Sequence, residues 1–143
     1  MIRPLSSLVR DTDGSVIIEF AIIGPVLITM LFGVLQIGIG MQNYNAIRGI
    51  SADVARYAVV NYQTKNRLTT AQLQTYAAGI ASAPPYGLQR ARFQATVTTA
   101  ATQRVAGATE YTLRINYRVP TVLEIVGIGE IPLTYSRPVF VIT

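Results

Sequence analysis

Two residues near the amino terminus invite chemistry: Glu19, and Gly14 five positions before it. Residues 16–41 form a run of 26 positions without Lys, Arg or Asp, and Glu19 is the one carboxylate among them. An acidic side chain in a membrane helix costs about 2.5–3.5 kcal/mol at the bilayer centre and less towards an interface. Glu19 sits about one turn inside the run, so its cost is reduced but still asks for a partner. One reading is that Glu19 reaches back to the headgroups, or favours the helix N-terminus, where negative charge is stabilised. The other uses Gly14. A cut between Gly14 and Ser15 would create an α-amino group four residues before Glu19. With an ordinary pKa of about 7.7–8.0, that amine is mostly a cation near neutral pH, able to pair with Glu19 of its own or a neighbouring chain.

Both readings depend on the element that carries these residues. The chain has 143 residues, half of them hydrophobic, and a mean hydropathy of +0.37. That describes one modest domain plus something more apolar than a soluble core requires. At about 1.5 Å per residue the run is long enough to cross a hydrocarbon layer of about 30 Å. It exceeds the apolar core of about 7–15 residues in a cleavable secretory signal, and buried core helices of this length rarely lack polar interruption. Pro25, preceded by Gly24, predicts a local kink of a kind that membrane helices tolerate. Arg3 and Arg10 before the run balance Arg48 and Arg56 after it, so loop charge does not orient the helix. The bulk of the chain follows the helix, and long downstream segments are translocated largely regardless of charge, which predicts a cytoplasmic N-terminus.

Composition narrows the function. Cysteine and histidine are absent, which removes thiol nucleophiles, disulfides, imidazole bases and most zinc sites. The chain is expected to be no enzyme and to carry no cofactor or metal. Its net charge of +5 and pI near 9.9 come from scattered arginines and the single Lys65, without a basic cluster, so nucleic acid is not an expected partner.

Beyond the run, residues 42–62 place Ile47, Ile50, Val54 and Tyr57 at helical spacing, with Asp53 and Arg56 spaced to pair on another side. The threonines at 69 and 70 signal a helix cap before a stripe of Leu73, Tyr76, Ala77 and Ile80, which Pro84 and Pro85 end. After Gly87 the period becomes two. Phe93, Ala95 and Val97 alternate with polar neighbours, as do Tyr111, Leu113, Ile115, Tyr117 and Val119, and these predict two strands with Gly107 in the connection. A last strand is expected near residues 133–142, interrupted at Pro138. Arg114 and Arg118, with Arg137 nearby, read as a solvated face. The stretch PTVLEIVGIGEIP is too short and broken for a second span and reads as a packed connection or as a subunit contact.

A short polar leader ending in Gly14, then Ser15, Val16, Ile17, Ile18, Glu19 and Phe20, then an apolar helix, resembles the processing motif of type IV prepilins. More narrowly, Arg10, Asp11, Gly14, Glu19, Phe20, Ala21, Pro25, Phe32 and Gly33 together resemble the amino-terminal signature of TadE-like proteins, pseudopilins of the tight-adherence (Tad, or Flp) pilus systems. The following NAIRGISADVARYAV is similar to that family's continuation, and the likeness is strong over residues 10–60 and architectural beyond. Two departures are Gly24, where a large aliphatic is usual, and the lack of the paired cysteines of some relatives.

The resemblance implies a pilin-like α+β fold with three parts. These are a cytoplasmic leader, 1–14; a long helix, 15–62, spanning the membrane over about 16–41; and a small α+β head, 63–143, outside the inner membrane. A prepilin peptidase would cut between Gly14 and Ser15, Glu19 with Phe20 would set subunit registry, and Pro25 would kink the helix. The implied partners are that peptidase, other Tad pilins and pseudopilins, the inner-membrane assembly platform and the lipid bilayer. The implied role is a minor pseudopilin in assembly or priming of pili for adherence and biofilm formation. Alternatives are a TadF- or TadG-like minor pilin of the same system, or an uncleaved single-pass anchor displaying a small domain that binds an envelope protein.

Overall fold

The apolar run and the amphipathic stretch after it form one helix, α1 (Thr12–Gln63), in a computed structural model that describes residues 12–124 and 127–142. The leader expected over 1–14 therefore lies outside the described residues up to residue 11. At about 1.5 Å per residue, the 52 residues of α1 span about 78 Å. The helix continues through Pro25, whose missing N–H removes one backbone bond; the hydroxyl of Thr29 donates to the Pro25 carbonyl at 2.8 Å. α1 ends where Lys65 adopts a left-handed φ of 61° and the Asn66 N–H returns to the Asn61 carbonyl at 2.9 Å.

The second helix, α2 (Thr70–Ala81), begins where the threonines signal it. Thr69 is the cap: its hydroxyl accepts from the Gln72 N–H, and the Gln72 side chain accepts from the Thr69 N–H. Leu73, Ala77 and Ala81 are buried, and Tyr76 stacks on Tyr57 of α1 with ring centroids 3.9 Å apart. A short 3₁₀ turn, Arg90–Arg92, leads into the sheet.

The sheet has three antiparallel strands, β1 (Phe93–Thr99), β2 (Ala108–Val119) and β3 (Ile131–Ile142), in the order β1-β2-β3. The alternation read in the sequence divides its two faces. Val97, Leu113, Ile115, Tyr117, Val119, Val139 and Val141 are buried on the face that meets the helices, and Arg114 and Arg118 are exposed on the other. Ile47, Ile50, Val54 and Ala58 of α1 complete the core. β3 starts two residues earlier than expected and runs through Pro138 without a break. As an edge strand it has no neighbour on one side to need the proline's missing N–H. Arg137 does not join Arg114 and Arg118. It pairs in register with Leu113, on the helix side of the sheet, and escapes burial at the groove beside Arg56 and Val60.

A three-stranded sheet needs one face covered to be stable, and here α1 supplies much of that cover. A fragment of residues 63–143 lacks Ile47, Ile50, Val54 and Ala58 and should melt well below a fragment of residues 42–143. Equal midpoints in thermal denaturation followed by circular dichroism would overturn this packing.

Candidate functional site

α1 divides into two environments. From 16 to 35 its apolar side chains project outwards without contact to the head: Ile17, Phe20, Met30, Leu31 and Val34 are all exposed, Phe20 at 75%. The helix is long and apolar enough to cross a membrane, with Val16–Gln63 carrying the qualifying stretch near the N-terminus. Twenty residues at about 1.5 Å give about 30 Å, the thickness of a hydrocarbon core. Glu19 lies on this bare part and is exposed, and Pro25 lies within it. Gly14 and Ser15 fall within the first turns of α1. Gly24 lies beside the Phe20 ring, where an added β-carbon would make ordinary contact at 3.8 Å.

The bare part stops at Gln36, which is only 2% exposed. Its side-chain amide is spent on one distant stretch of backbone: Nε2 donates to the Pro120 carbonyl at 3.1 Å, and Oε1 accepts from the Val122 N–H at 3.0 Å. The β2–β3 connection is thereby fastened to α1 at the level where the head begins. Leu123 is buried beneath it. The connection read as either packed or exposed is both, since Val122 and Ile128 remain open to solvent.

Higher up, the expected Asp53–Arg56 pair does not form among the described residues. Asp53 instead accepts from the Tyr86 hydroxyl at 2.7 Å, which ties the segment after α2 to α1. Tyr86 crosses over Gly49 so closely that a β-carbon there would lie 2.7 Å from its ring. Burial, then the hydrogen bond to Asp53, push the Tyr86 phenol up to about 12.

At the far end of the sheet, Glu110 points to the outer face yet is buried by its own hairpin loop. The Arg104 Nε lies 2.9 and 3.0 Å from its two carboxylate oxygens, and the Arg104 guanidinium also lies over the Phe140 ring at 5.3 Å. The charged hydrogen bonds from Arg104 hold the Glu110 carboxyl below its usual range. Gln36, Tyr86 and Glu110 were all missed by sequence reasoning. For Gln36 a signal existed, since it is the one side-chain amide within residues 16–41.

Among the described residues no cluster of three or more acidic, His or Cys side chains has the geometry to hold a metal ion. Residues 14–56 match the family model described as TadE-like protein, so the match falls on the bare helix and the first turns that pack on the head. No curated protein and no solved structure matches the chain.

Two expectations concern the fastenings. Gln36→Leu leaves the Pro120 carbonyl and the Val122 N–H unpaired where the loop meets the helix, and should destabilise the head by about 1–3 kcal/mol in denaturant unfolding of the full chain in detergent. An unchanged midpoint would show that the clamp holds nothing.

The two ionisable ties act at opposite ends of the pH scale. The lowered carboxyl of Glu110 stabilises the fold above its unfolded pKa of about 4.3 and loses that contribution as pH falls through the lower folded value. The raised phenol of Tyr86 contributes fully below its unfolded pKa of about 10 and loses it as pH rises through about 12. Glu110→Gln should therefore flatten the acid limb of the melting temperature, and Tyr86→Phe the alkaline limb, each leaving the other limb unchanged.

Proposed function

We propose, from the premise that the chain is TadE-like over residues 14–56, that it is a minor pseudopilin of a Tad (Flp) pilus, cut by a prepilin peptidase between Gly14 and Ser15. The observation that supports this reading most is the bare apolar helix: it continues without a break into the spine of a small head, and the family match falls on that same stretch. In this reading the N-terminus is cytoplasmic, the span is shortened from the expected 16–41 to 16–35 because Gln36 is buried against the head, and the head stands outside the inner membrane. The chain catalyses nothing itself. It is a substrate of the peptidase and a partner of other pilin and pseudopilin subunits and of the assembly platform, in building pili for adherence and biofilm formation.

The local chemistry of the helix start suits this. Gly14 and Ser15 are helical, and a protease must take its substrate extended, so the first turns have to open. Glycine in a helix costs about 1 kcal/mol relative to alanine, which makes opening at Gly14 easier. After the cut, the amine of Ser15 is the cation that Glu19 lacks on the bare segment. Removing one member of such a pair in apolar surroundings leaves the other charge uncompensated, which is how Glu19 with Phe20 would fix the register of neighbouring helices.

Intact mass of the protein from host membranes should give a chain beginning at Ser15, and Gly14→Val should retain the leader. Glu19→Gln should be cut and inserted normally but give fewer surface pili and less cross-linking to other subunits. Normal trimming of Gly14→Val would sink the processing step. Pili at wild-type number with Glu19→Gln would sink the pairing.

A further inference from the structure

At the end of the head remote from the bare segment, the last turns of α1, the loop after it and the β2–β3 pair border a pocket of about 90 Å³. Its polar lining is three hydroxyl-bearing side chains, Tyr62, Thr109 and Tyr111, together with Arg67, and no carboxylate lines it. Tyr62 and Tyr111 pack against the core, and the Tyr62 hydroxyl is buried without a hydrogen-bond partner among the described residues. Such a group costs about 1–3 kcal/mol unless something entering the pocket accepts its hydrogen bond. The Arg67 guanidinium stands over the Tyr62 ring, 5.6 Å from its centroid, and has no ion pair among the described residues. Its position is built rather than incidental. With Lys65 left-handed at a φ of 61°, the Lys65 N–H bonds the Tyr62 carbonyl at 2.9 Å and the Asn66 side-chain amide donates to the Asn61 side chain at 3.0 Å, which returns Arg67 to the end of the helix it has just left.

We propose that this pocket binds a carboxylate on a short apolar stem, carried either by a free organic acid or by a glutamate side chain of another protein. The proposal stands on the head alone and does not depend on processing or on a membrane span. Each of the three hydroxyls can donate one O–H, and the guanidinium can donate two N–H groups side by side, which is the geometry that a carboxylate accepts. The head does not supply that carboxylate itself. Among its described acidic residues, Asp53, Glu110 and Glu130 are engaged by Tyr86, Arg104 and Arg92, and Glu124 lies in the β2–β3 connection at the opposite end of the sheet. Water would satisfy the hydroxyls, but only an anion also answers the guanidinium. Ala58, Leu73 and Val141 make the remaining walls apolar, which suits a methylene stem and penalises a small ion that must shed its whole hydration shell. The volume is several times the roughly 10–15 Å³ that one water needs.

The test uses the full chain in detergent, isotope-labelled in its tyrosine rings and followed by nuclear magnetic resonance. It is titrated with sodium propionate and, separately, with a tripeptide capped at both ends and carrying a central glutamate, each against sodium chloride at equal ionic strength. Tyr62→Phe assigns the Tyr62 signal. The expected result is a saturable shift of the Tyr62 and Tyr111 signals, weakened about tenfold or more in Arg67→Gln and unchanged in Lys65→Gln, which removes an exposed cation of the same loop. A response to propionate alone identifies a free acid as the occupant. A response to the peptide identifies a side chain of another protein. No shift, or the same shift with sodium chloride, leaves the pocket to water and overturns the site. Arg67→Gln titrating like the unaltered chain overturns it as well.

Discussion

One continuous helix carries two kinds of surface, and the rest of the structure follows from where it changes from one to the other. From 16 to 35 the side chains of α1 are apolar on nearly every side, Glu19 and Thr29 excepted, a surface that lipid or other apolar helices accommodate. Above Gln36, Ile37 and Met41 are still exposed, and the buried apolar residues form the stripe of Ile47, Ile50, Val54 and Ala58, which water would penalise unless covered. The sheet and α2 exist to cover that stripe, and the stripe in turn covers the one face that a three-stranded sheet cannot leave open. Neither half of this arrangement is independent of the other.

The fastenings are placed where the chain would otherwise come loose. Three connections are tied by polar side chains, two of them to distant elements and one locally: Gln36 to the β2–β3 connection, Asp53 to Tyr86 after α2, and Glu110 to Arg104 within its own hairpin loop. All three replace backbone or side-chain contacts with water that the fold has removed, and all three are satisfied at both ends. Among the described residues, the buried hydroxyls of Ser51 and Tyr62 have no hydrogen-bond partner, and Tyr62 borders a small cavity of about 90 Å³ lined also by Arg67 and Leu68.

What the sequence disclosed was whatever repeats with the period of its element. The apolar run, the Thr69 cap and the alternation of β2 are local patterns, and each element stands close to where its pattern put it. The ties were hidden because their partners are far apart in the chain: 84 residues between Gln36 and Pro120, 33 between Asp53 and Tyr86. Local spacing even misdirected Asp53, since Arg56 stands at a good helical distance while the better partner arrives from another element. Arg137 was misplaced for a related reason. Pro138 suggested a break in β3, but the strand runs on, and the unbroken alternation turns Arg137 towards the helix side.

Because α1 is unbroken from Thr12 to Gln63, the bare apolar part, long enough to cross a membrane, and the part that carries the head are a single lever. The Gln36 amide ties the β2–β3 connection to this same helix. Where such a helix crosses a bilayer thinner than its apolar stretch, the span tilts, and a head carried on the same unbroken helix leans through the same angle. Bilayer thickness thus becomes a setting for the posture of everything displayed above it.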